Sequence, residues 1–371
     1  MKPFIPQKLP ILEVSWEPLI PLIGLANRRL AEYNGVLYSL PDPAILLSPL
    51  TTQEAVLSSK IEGTQATLGE VLKYEAGEEP TQESRRQDIQ EIIDYRRALR
   101  EAEEELKTRP FNLNLLLRLH STLLNSVRGR NKARGQFRDQ QNWIGAPGSS
   151  IDEAQFVPPA PGDDFKNALY NWEAYYHMER PDPLVQLAVI HAQFEILHPF
   201  LDGNGRLGRI LIPLFLYEKS ILSRPMFYLS EYLEGNRDVY IERLRAIGQT
   251  QNAWNNWISF FLGGMIQQAQ TNVLKARQIH DLYDDLKKRV LDLTHSQFAV
   301  PLLDIMFEQP VFQSTHLDGL PSMPSRPMIM NMLGKLKAAG ILAVIRQGGG
   351  PRAQVLALIE LVNLCEGKRI I

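Results

Sequence analysis

The sequence predicts a mainly α-helical protein that carries one β-hairpin flap and ends in a small α+β module of winged-helix type. Three observations carry that prediction. Apolar residues recur at helical spacing through most of the first 293 positions. One stretch breaks the pattern. In RGQFRDQQNWIGAPGSSIDEAQFVPPAPG, short extended segments around Gln141–Gly145 and Ala154–Pro158 flank the turn-rich APGSS. After about Thr294 the texture changes to three short helices, then alternating residues around a glycine turn, then an apolar strand.

In chain order, residues 1–18 are punctuated by prolines and read as an extended arm packed on the body. Helical spacing runs over Leu19–Asn34 and Thr52–Ile61, interrupted by SLPDPAILLSPL. The charged run SRRQDIQEIIDYRRALREAEEELK keeps Ile89, Ile92, Ile93 and Leu99 on one face, which predicts a long, half-exposed helix. Leu113–Val127 repeats the pattern with a wider apolar face. Beyond the flap, helices are expected over Asp164–Glu179, Leu184–Leu197, Leu207–Lys219, Arg237–Ile247 and Trp254–Leu293. In the last module Arg326–Ala339 takes the place of a recognition helix and RQGGGPR that of a wing. The expected domains are residues 1–80, 81–293 and 294–371.

Composition narrows the function classes. At 371 residues, 44% hydrophobic and 22% charged, the chain is an ordinary globular one of two or three domains. A net charge of -2 argues against a whole-chain polyanion binder. The lone cysteine, Cys365, cannot form an internal disulfide and fits a reducing compartment. The opening residues do not resemble a signal peptide, and no apolar run is long enough to span a bilayer. A cytoplasmic protein without a membrane partner is expected.

The chemistry concentrates in HPFLDGNGRLGR, His198–Arg209. An apolar helix ends at His198-Pro199, where proline blocks continuation. Gly203-Asn204-Gly205 then leads into a helix expected to begin near Arg206. Glycines with positive φ would expose consecutive N–H groups as an anion-binding nest at a helix N-terminus. Arg206 and Arg209 suit a polyphosphate, Asp202 suits a bridging divalent cation such as Mg²⁺, and Asn204 offers its amide to a phosphate oxygen. His198 is placed to take a proton from an attacking hydroxyl. The sum is a phosphoryl- or nucleotidyl-transfer site. No GxxxxGK[ST] element is present, so a P-loop ATPase is excluded.

These residues resemble the signature of the Fic family, H-x-F-x-D/E-G-N-G-R-x-x-R, at every defined position: His198, Phe200, Asp202, Gly203, Asn204, Gly205, Arg206 and Arg209. GQFR at Gly135–Arg138 and the NWIG…FVPP stretch resemble the family's flap, which clamps the target backbone over the site. The resemblance covers roughly residues 10 to 290. It implies a Fic-type helical core and transfer of AMP from ATP to a Ser, Thr or Tyr hydroxyl of a protein, the chain itself included. His198 would be the base and Asp202 the Mg²⁺ ligand. The run Gly203–Arg209, Leu207 and Gly208 included, would bind ATP phosphates, with Arg209 on the γ-phosphate. The adenine side would involve Tyr240 and, on the flap, Ile144.

Upstream, SSKIEGTQAT places Ser58 four residues before Glu62, on one helical face. Beside the loop it resembles the family's inhibitory motif, S/T-x-x-x-E-G/N, whose glutamate pairs with the last arginine of the signature, here Arg209. A bidentate Glu62–Arg209 pair would fill the guanidinium fork that a γ-phosphate needs.

His191 and His120 read as core histidines, and no zinc-ligand spacing occurs. The module 294–371 is only mildly basic, with seven Lys/Arg against five Asp/Glu from residue 295 on. DNA recognition through Arg326, Lys335, Lys337, Arg346 and Arg352 and a protein-contact role are equally compatible with that balance. A phosphotransferase or de-AMPylase on the same loop, and an ATP-sensing DNA- or protein-binding regulator, are the rival readings. A homodimer that masks or frees the N-terminal helix would be a further route of control, one that no particular residue indicates.

Overall fold

The computed structural model describes residues 2–126, 132–146, 148–349 and 352–367. Val127, the flap-turn residue Pro147, and Gly350 and Pro351 of the expected wing lie outside the described residues. In chain order the helices are α1 (Ile20–Ser39), α2 (Pro43–Leu46), α3 (Ser48–Ile61), α4 (Leu68–Glu75), α5 (Glu83–Leu106), α6 (Leu113–Leu123), α7 (Asp163–His177), α8 (Pro183–Leu197), α9 (Asn204–Glu218), α10 (Ser230–Gly235), α11 (Arg237–Ala246), α12 (Ala253–Thr294), α13 (Ala299–Glu308), α14 (Arg326–Ala338) and α15 (Ile359–Glu366). Among the described residues there are three strands, β1 (Val311–Gln313), β2 (Ala343–Arg346) and β3 (Val355–Ala357). The chain divides into two compact units. One comprises Met1–Asn34, Leu57–Gly63 and Asp94–Gln270; the other comprises Gly35–Val56, Thr64–Ile93 and Thr271–Ile371.

The first unit is built around α8. Asp182 caps this helix, its Oδ1 accepting from the N–H groups of Leu184 and Val185 at 2.9 Å each, and Pro183 occupies the first turn, where a missing N–H costs nothing. PLVQLAVIHAQFEIL is apolar on almost every face, so the helix must be surrounded. Helices α7, α9 and α11 pack against it. Two wholly buried indoles satisfy their N–H groups on its carbonyls: Trp172 donates to Ile190 at 2.9 Å and Trp257 to Ala188 at 2.8 Å. The end of α8 is therefore a fixed point from which the next loop springs.

The second unit contains a three-stranded antiparallel sheet in the order β1-β3-β2, with Val311 opposite Ala357 and Ala343 opposite the same residue on the other side. α2 packs on α13 and α4 on β1. Gln313 donates to the Ala76 carbonyl at 2.8 Å, at the end of α4. A capping box between Thr67 and Glu70 starts α4.

The expectations need four corrections. α9 begins at Asn204, ahead of the expected start, because Gly203 alone takes a positive φ (79°) and serves as N-cap. Gly205 is thus an ordinary helical residue, not part of a left-handed nest. Among the described residues the flap pairs through a single antiparallel bridge, Ile144↔Phe156, so it is thinner than a regular hairpin. The apolar segment from Val355 is a strand only to Ala357 and then turns into α15, and an additional strand, β1, supplies the sheet's third member.

Candidate active site

His198 closes α8 with φ 46° and ψ 58°, a left-handed conformation that a non-glycine residue adopts at a cost. Pro199 prevents another helical turn. Several contacts hold this bend. The buried Arg138 donates from Nε to the His198 carbonyl at 2.9 Å and from its Nη atoms to the carbonyls of Gln140 (3.3 Å), Pro159 (2.5 Å) and Leu197 (3.3 Å). Its guanidinium stacks 4.5 Å from the centre of the Phe165 ring. One arginine thereby ties the flap's two ends to the end of α8. With no carboxylate among these contacts, burial pushes its pKa down to about 10, still charged at neutral pH.

The loop after His198 is pinned from inside. Phe200 is wholly buried, and its ring stacks on His120 with centroids 3.8 Å apart. His120 Nδ1 accepts from the Gly135 N–H at 2.9 Å, which puts the proton on Nε2, and Nε2 donates to the Asp202 carbonyl at 3.0 Å. Burial lowers the pKa of this ring to about 4, so it stays neutral and keeps that tautomer. The Asn204 amide bridges the backbone of Phe200, accepting from its N–H and donating to its carbonyl, both at 2.8 Å. In this state the amide is committed to the loop itself, and the expected side-chain contact to phosphate is not on offer.

α9 then presents its first N–H groups, which have no intrahelical partners, next to Arg206 and Arg209. Arg206 is buried and pairs with Asp202, Nη2 to Oδ1 at 3.3 Å, while the Asp202 side chain is 40% exposed. Leu207 is wholly buried and anchors the helix in the core. Gly208 leaves the space that the Glu195 carboxyl occupies, and its carbonyl meets His191 Nδ1 at 3.2 Å. Neither Leu207 nor Gly208 lines the cavity described below.

Arg209 is wholly buried and faces the end of α3. Its Nε donates to Ser58 Oγ at 2.8 Å, and its Nη2 donates both to the Ser58 carbonyl at 2.8 Å and to Glu62 Oε1 at 2.7 Å. The expected bidentate Glu62–Arg209 pair is therefore corrected: Glu62 contributes one oxygen, and Ser58 supplies the rest of the fork's partners. Burial acts to raise the Glu62 pKa, but the charge and hydrogen bond of Arg209, with help from Arg206, hold it below its ordinary value. Burial likewise opposes the charge on Arg209, and Glu62 more than offsets it, keeping the guanidinium charged. Gly205 makes the approach possible, since a Cβ there would collide with Glu62 Oε1 and stand 2.9 Å from Arg209 Nη1.

Glu62, His198, Gly205 and Arg209 border a cavity of about 570 Å³, a size suited to a nucleotide, whereas Asp202, Gly203, Asn204 and Arg206 are not among its lining residues. His198, Glu62 and Arg209 line one end; Ile144 and Phe156 of the flap and Tyr240 of α11 line the rest. Burial pushes the His198 imidazole down to about 4, against the opposing effects of Glu62 and the Glu195 carbonyl, so the ring is a neutral base at pH 7. Glu195, one turn earlier, is pushed up to about 8 by burial. Tyr240 is buried at the cavity wall, with its hydroxyl 2.9 Å from His191 Nε2.

The structure brings together His198, Asp202, Gly203–Arg206, Arg209, Ser58 and Glu62, all from one compact unit. Sequence reasoning missed Arg138 as the tie between flap and loop, and His120 as the support beneath Asp202. The GQFR segment was the available signal for Arg138. Nothing in the spacing of His120 reports a partner 82 residues away.

The Fic/DOC family N-terminal model matches residues 20–104 and the Fic/DOC family model matches residues 110–216. Together they cover more than half of the chain, which belongs to the Fic/DOC family. A probable protein adenylyltransferase of Aquifex aeolicus is 28% identical over 208 residues, 54% of this chain and 55% of that protein. The protein adenylyltransferase Fic of Drosophila virilis is 32% identical over 80 residues, 21% of this chain and 15% of that protein. The chain thus spans about half or less of these relatives' length. A solved Fic family protein from Desulfovibrio desulfuricans shares the fold, with TM-score 0.59 at 19% identity over 93% of this chain and 97% of that one. A Fic domain containing signaling protein from Bacteroides thetaiotaomicron superposes with TM-score 0.53 at 18% identity over 68% of this chain and 97% of that one. The sequence-predicted class, mainly α with a Fic-type helical core, is the one found, and the small α+β content expected after residue 294 is a three-stranded antiparallel sheet.

Proposed function

We propose that the chain is a protein adenylyltransferase, moving AMP from ATP to a Ser, Thr or Tyr hydroxyl of a protein, and that Glu62 holds it inactive. The observation that carries this reading is the position of Arg209, buried beside the N-terminus of α9 with its guanidinium already taken by Ser58 and Glu62. His198, neutral at pH 7, accepts the proton of the attacking hydroxyl. That oxygen bonds to the α-phosphorus, the bond from the α-phosphorus to the α–β bridging oxygen breaks, and pyrophosphate leaves. The N–H groups of Gly203 to Gly205 and Arg206 hold the α- and β-phosphates, and Arg209 holds the γ-phosphate once Glu62 withdraws. Asp202, with one carboxylate oxygen on Arg206 and a side chain open to solvent, would be the residue to hold a Mg²⁺ ion. When bound there, such an ion would supply positive charge for the pyrophosphate leaving group. Ile144 and Tyr240 border the adenosine end, and the flap holds the target backbone.

In functional terms residues 1–80 carry the inhibitory helix, 81–293 the transfer site and 294–371 a winged-helix module. For that module a protein-contact role is favoured over DNA. Arg326 pairs with Asp318, Lys337 donates to Gln354, and Arg346 is drawn to the Gly77 and Ala353 carbonyls. Met328 and Met330, by contrast, stand exposed on α14. Retention of the full chain on duplex DNA at low salt would overturn that preference. No described helix is long and apolar enough to cross a membrane.

The test of the main reading uses the protein and its Glu62→Gly form with Mg²⁺ and ATP labelled on the α- or the γ-phosphate, with His198→Ala as control. Covalent label from the α position alone, dependent on His198, is expected to rise on the order of 100-fold in Glu62→Gly, the effect of correcting a misplacement of about 1 Å. Label from the γ position would mean phosphotransfer. No label from either would turn the reading toward a nucleotide-sensing regulator.

A further inference from the structure

Phe4, Gln7 and Leu9 make a set of contacts for which the transfer chemistry has no use. Phe4 donates its N–H to the Val157 carbonyl at 2.9 Å, and its ring lies against Phe156 with centroids 5.6 Å apart. Gly248, at φ 76°, sits against that ring: a Cβ there would stand 2.6 Å from Phe4 Cζ. Gln7 is held twice, its carbonyl accepting from Gln193 at 2.9 Å and its Oε1 from the Trp254 indole at 2.5 Å. Asn171 then exchanges two hydrogen bonds with the backbone of the buried Leu9, at 2.7 and 3.0 Å. Gln193 lies on α8, five residues before His198, so the arm is referenced to the same helix that positions the base.

The flap needs such a support. Among the described residues its two segments share one backbone bridge, in which Ile144 donates to the Phe156 carbonyl at 2.8 Å and its own carbonyl accepts from Gln155 and Phe156 at 2.8 and 3.1 Å, and one side-chain bond, from Gln141 to the Pro158 carbonyl at 3.0 Å. A two-stranded unit of this length is marginal alone. It also has two edges, and an extended peptide can add to either. The arm covers the edge at Val157. Among the described residues no other segment hydrogen-bonds the backbone of Trp143 or Gly145, on the opposite edge.

We infer that the N-terminal arm, through Phe4, is a positioning element of the flap: it closes the Phe156–Pro158 edge, fixes Ile144 and Phe156 over the cavity, and leaves the Trp143–Gly145 edge as the one place for a target backbone. A register slip of one residue on a strand edge turns every side chain to the other face. Closing one edge and fixing the other therefore decides which target residue meets His198. This inference rests on the proposed transfer to a protein hydroxyl.

The test places Phe4→Ala and Phe4→Leu in the full-length Glu62→Gly protein and reads amide hydrogen exchange together with self-labelling from α-labelled ATP at saturating nucleotide. Phe4→Ala is expected to speed exchange at Ile144 and Phe156 by roughly tenfold while the amides of α8 and α9 stay protected. Labelling should fall by about the same factor, since the flap's placement sets the acceptor's geometry. Phe4→Leu, which keeps an apolar side chain against Phe156, should recover most of both. Gly248→Ala, which drives the Phe4 ring away, should reproduce the loss. Unchanged exchange at Ile144 and Phe156 in Phe4→Ala would overturn the inference, as would exchange that rises uniformly across the first unit. Failure of Glu62→Gly to label at all would instead overturn the transfer reading, and the exchange data would still decide the role of the arm.

Discussion

Two buried arginines flank His198, and the molecule uses them in opposite ways. Arg138 is surrounded by four backbone carbonyls and an aromatic ring, and burial depresses its pKa. Arg209 faces Ser58 and a carboxylate that is 41% exposed, and the carboxylate raises its pKa. Backbone carbonyls cannot leave without unfolding the segments that carry them. A half-exposed side chain at the end of a helix can. The contrast makes the first arginine part of the scaffold, whereas under the proposed reading the second is a site whose occupant is exchangeable.

Melting experiments can break that comparison. Arg138→Ala would leave the buried carbonyls of Leu197, His198 and Pro159 without donors, and the expected loss is about 3–5 kcal/mol. ATP with Mg²⁺ should not restore it. Glu62→Gly should cost only about 1–2 kcal/mol, because the carboxylate is partly solvated and Ser58 remains on the guanidinium. Here nucleotide should restore the melting temperature, and by more than it raises that of the unmodified protein. Equal rescue of both variants would erase the distinction between scaffold and exchangeable site.

The smallest effect is a flat pH profile. The Glu62 carboxyl is held below its ordinary value in the fold, so its pairing is fully present above the unfolded carboxyl pKa and is lost only as pH falls through the lower folded value. His198, at about 4, is neutral over the same range, and removing Glu62 takes away a group that raises it. Labelling by Glu62→Gly should therefore vary less than about twofold from pH 6 to 8, and the unmodified protein should stay restrained throughout. A bell centred near pH 6.5 would mean that His198 is better hydrated than its burial implies.

Much of this was legible in the sequence because the relevant physics is local. The apolar run 184–197 and the His-Pro stop define α8 and the loop, and the spacing of Ser58 and Glu62 puts both on one face of α3. What escaped depends on distant partners or on the geometry of single residues. Gly203 and Gly205 look alike in sequence, yet one is a left-handed cap and the other a helical residue chosen for the space above it. Ser58 lies on the same face as Glu62, but that its carbonyl would share the guanidinium follows only from where α9 sits. Arg138 resembles any loop arginine until the carbonyls of residues 159, 197 and 198 are seen around it. The start of α4 was missed although Thr67 and Glu70 spell a capping box.

The gap above Gly205 has one more consequence. Under the proposed reading, Glu62 and an incoming terminal phosphate claim the same guanidinium, and Glu62 is attached to the protein while the phosphate arrives from solution. The carboxylate then behaves as a tethered competitor, whose strength is an effective concentration set by how far the end of α3 can swing. For short tethers that concentration is on the order of millimolar. Any partner or mutation that loosens residues 58–62 dilutes the competitor without altering the chemistry of the site. The nucleotide concentration at half-maximal labelling then becomes a ruler for the freedom of that helix end.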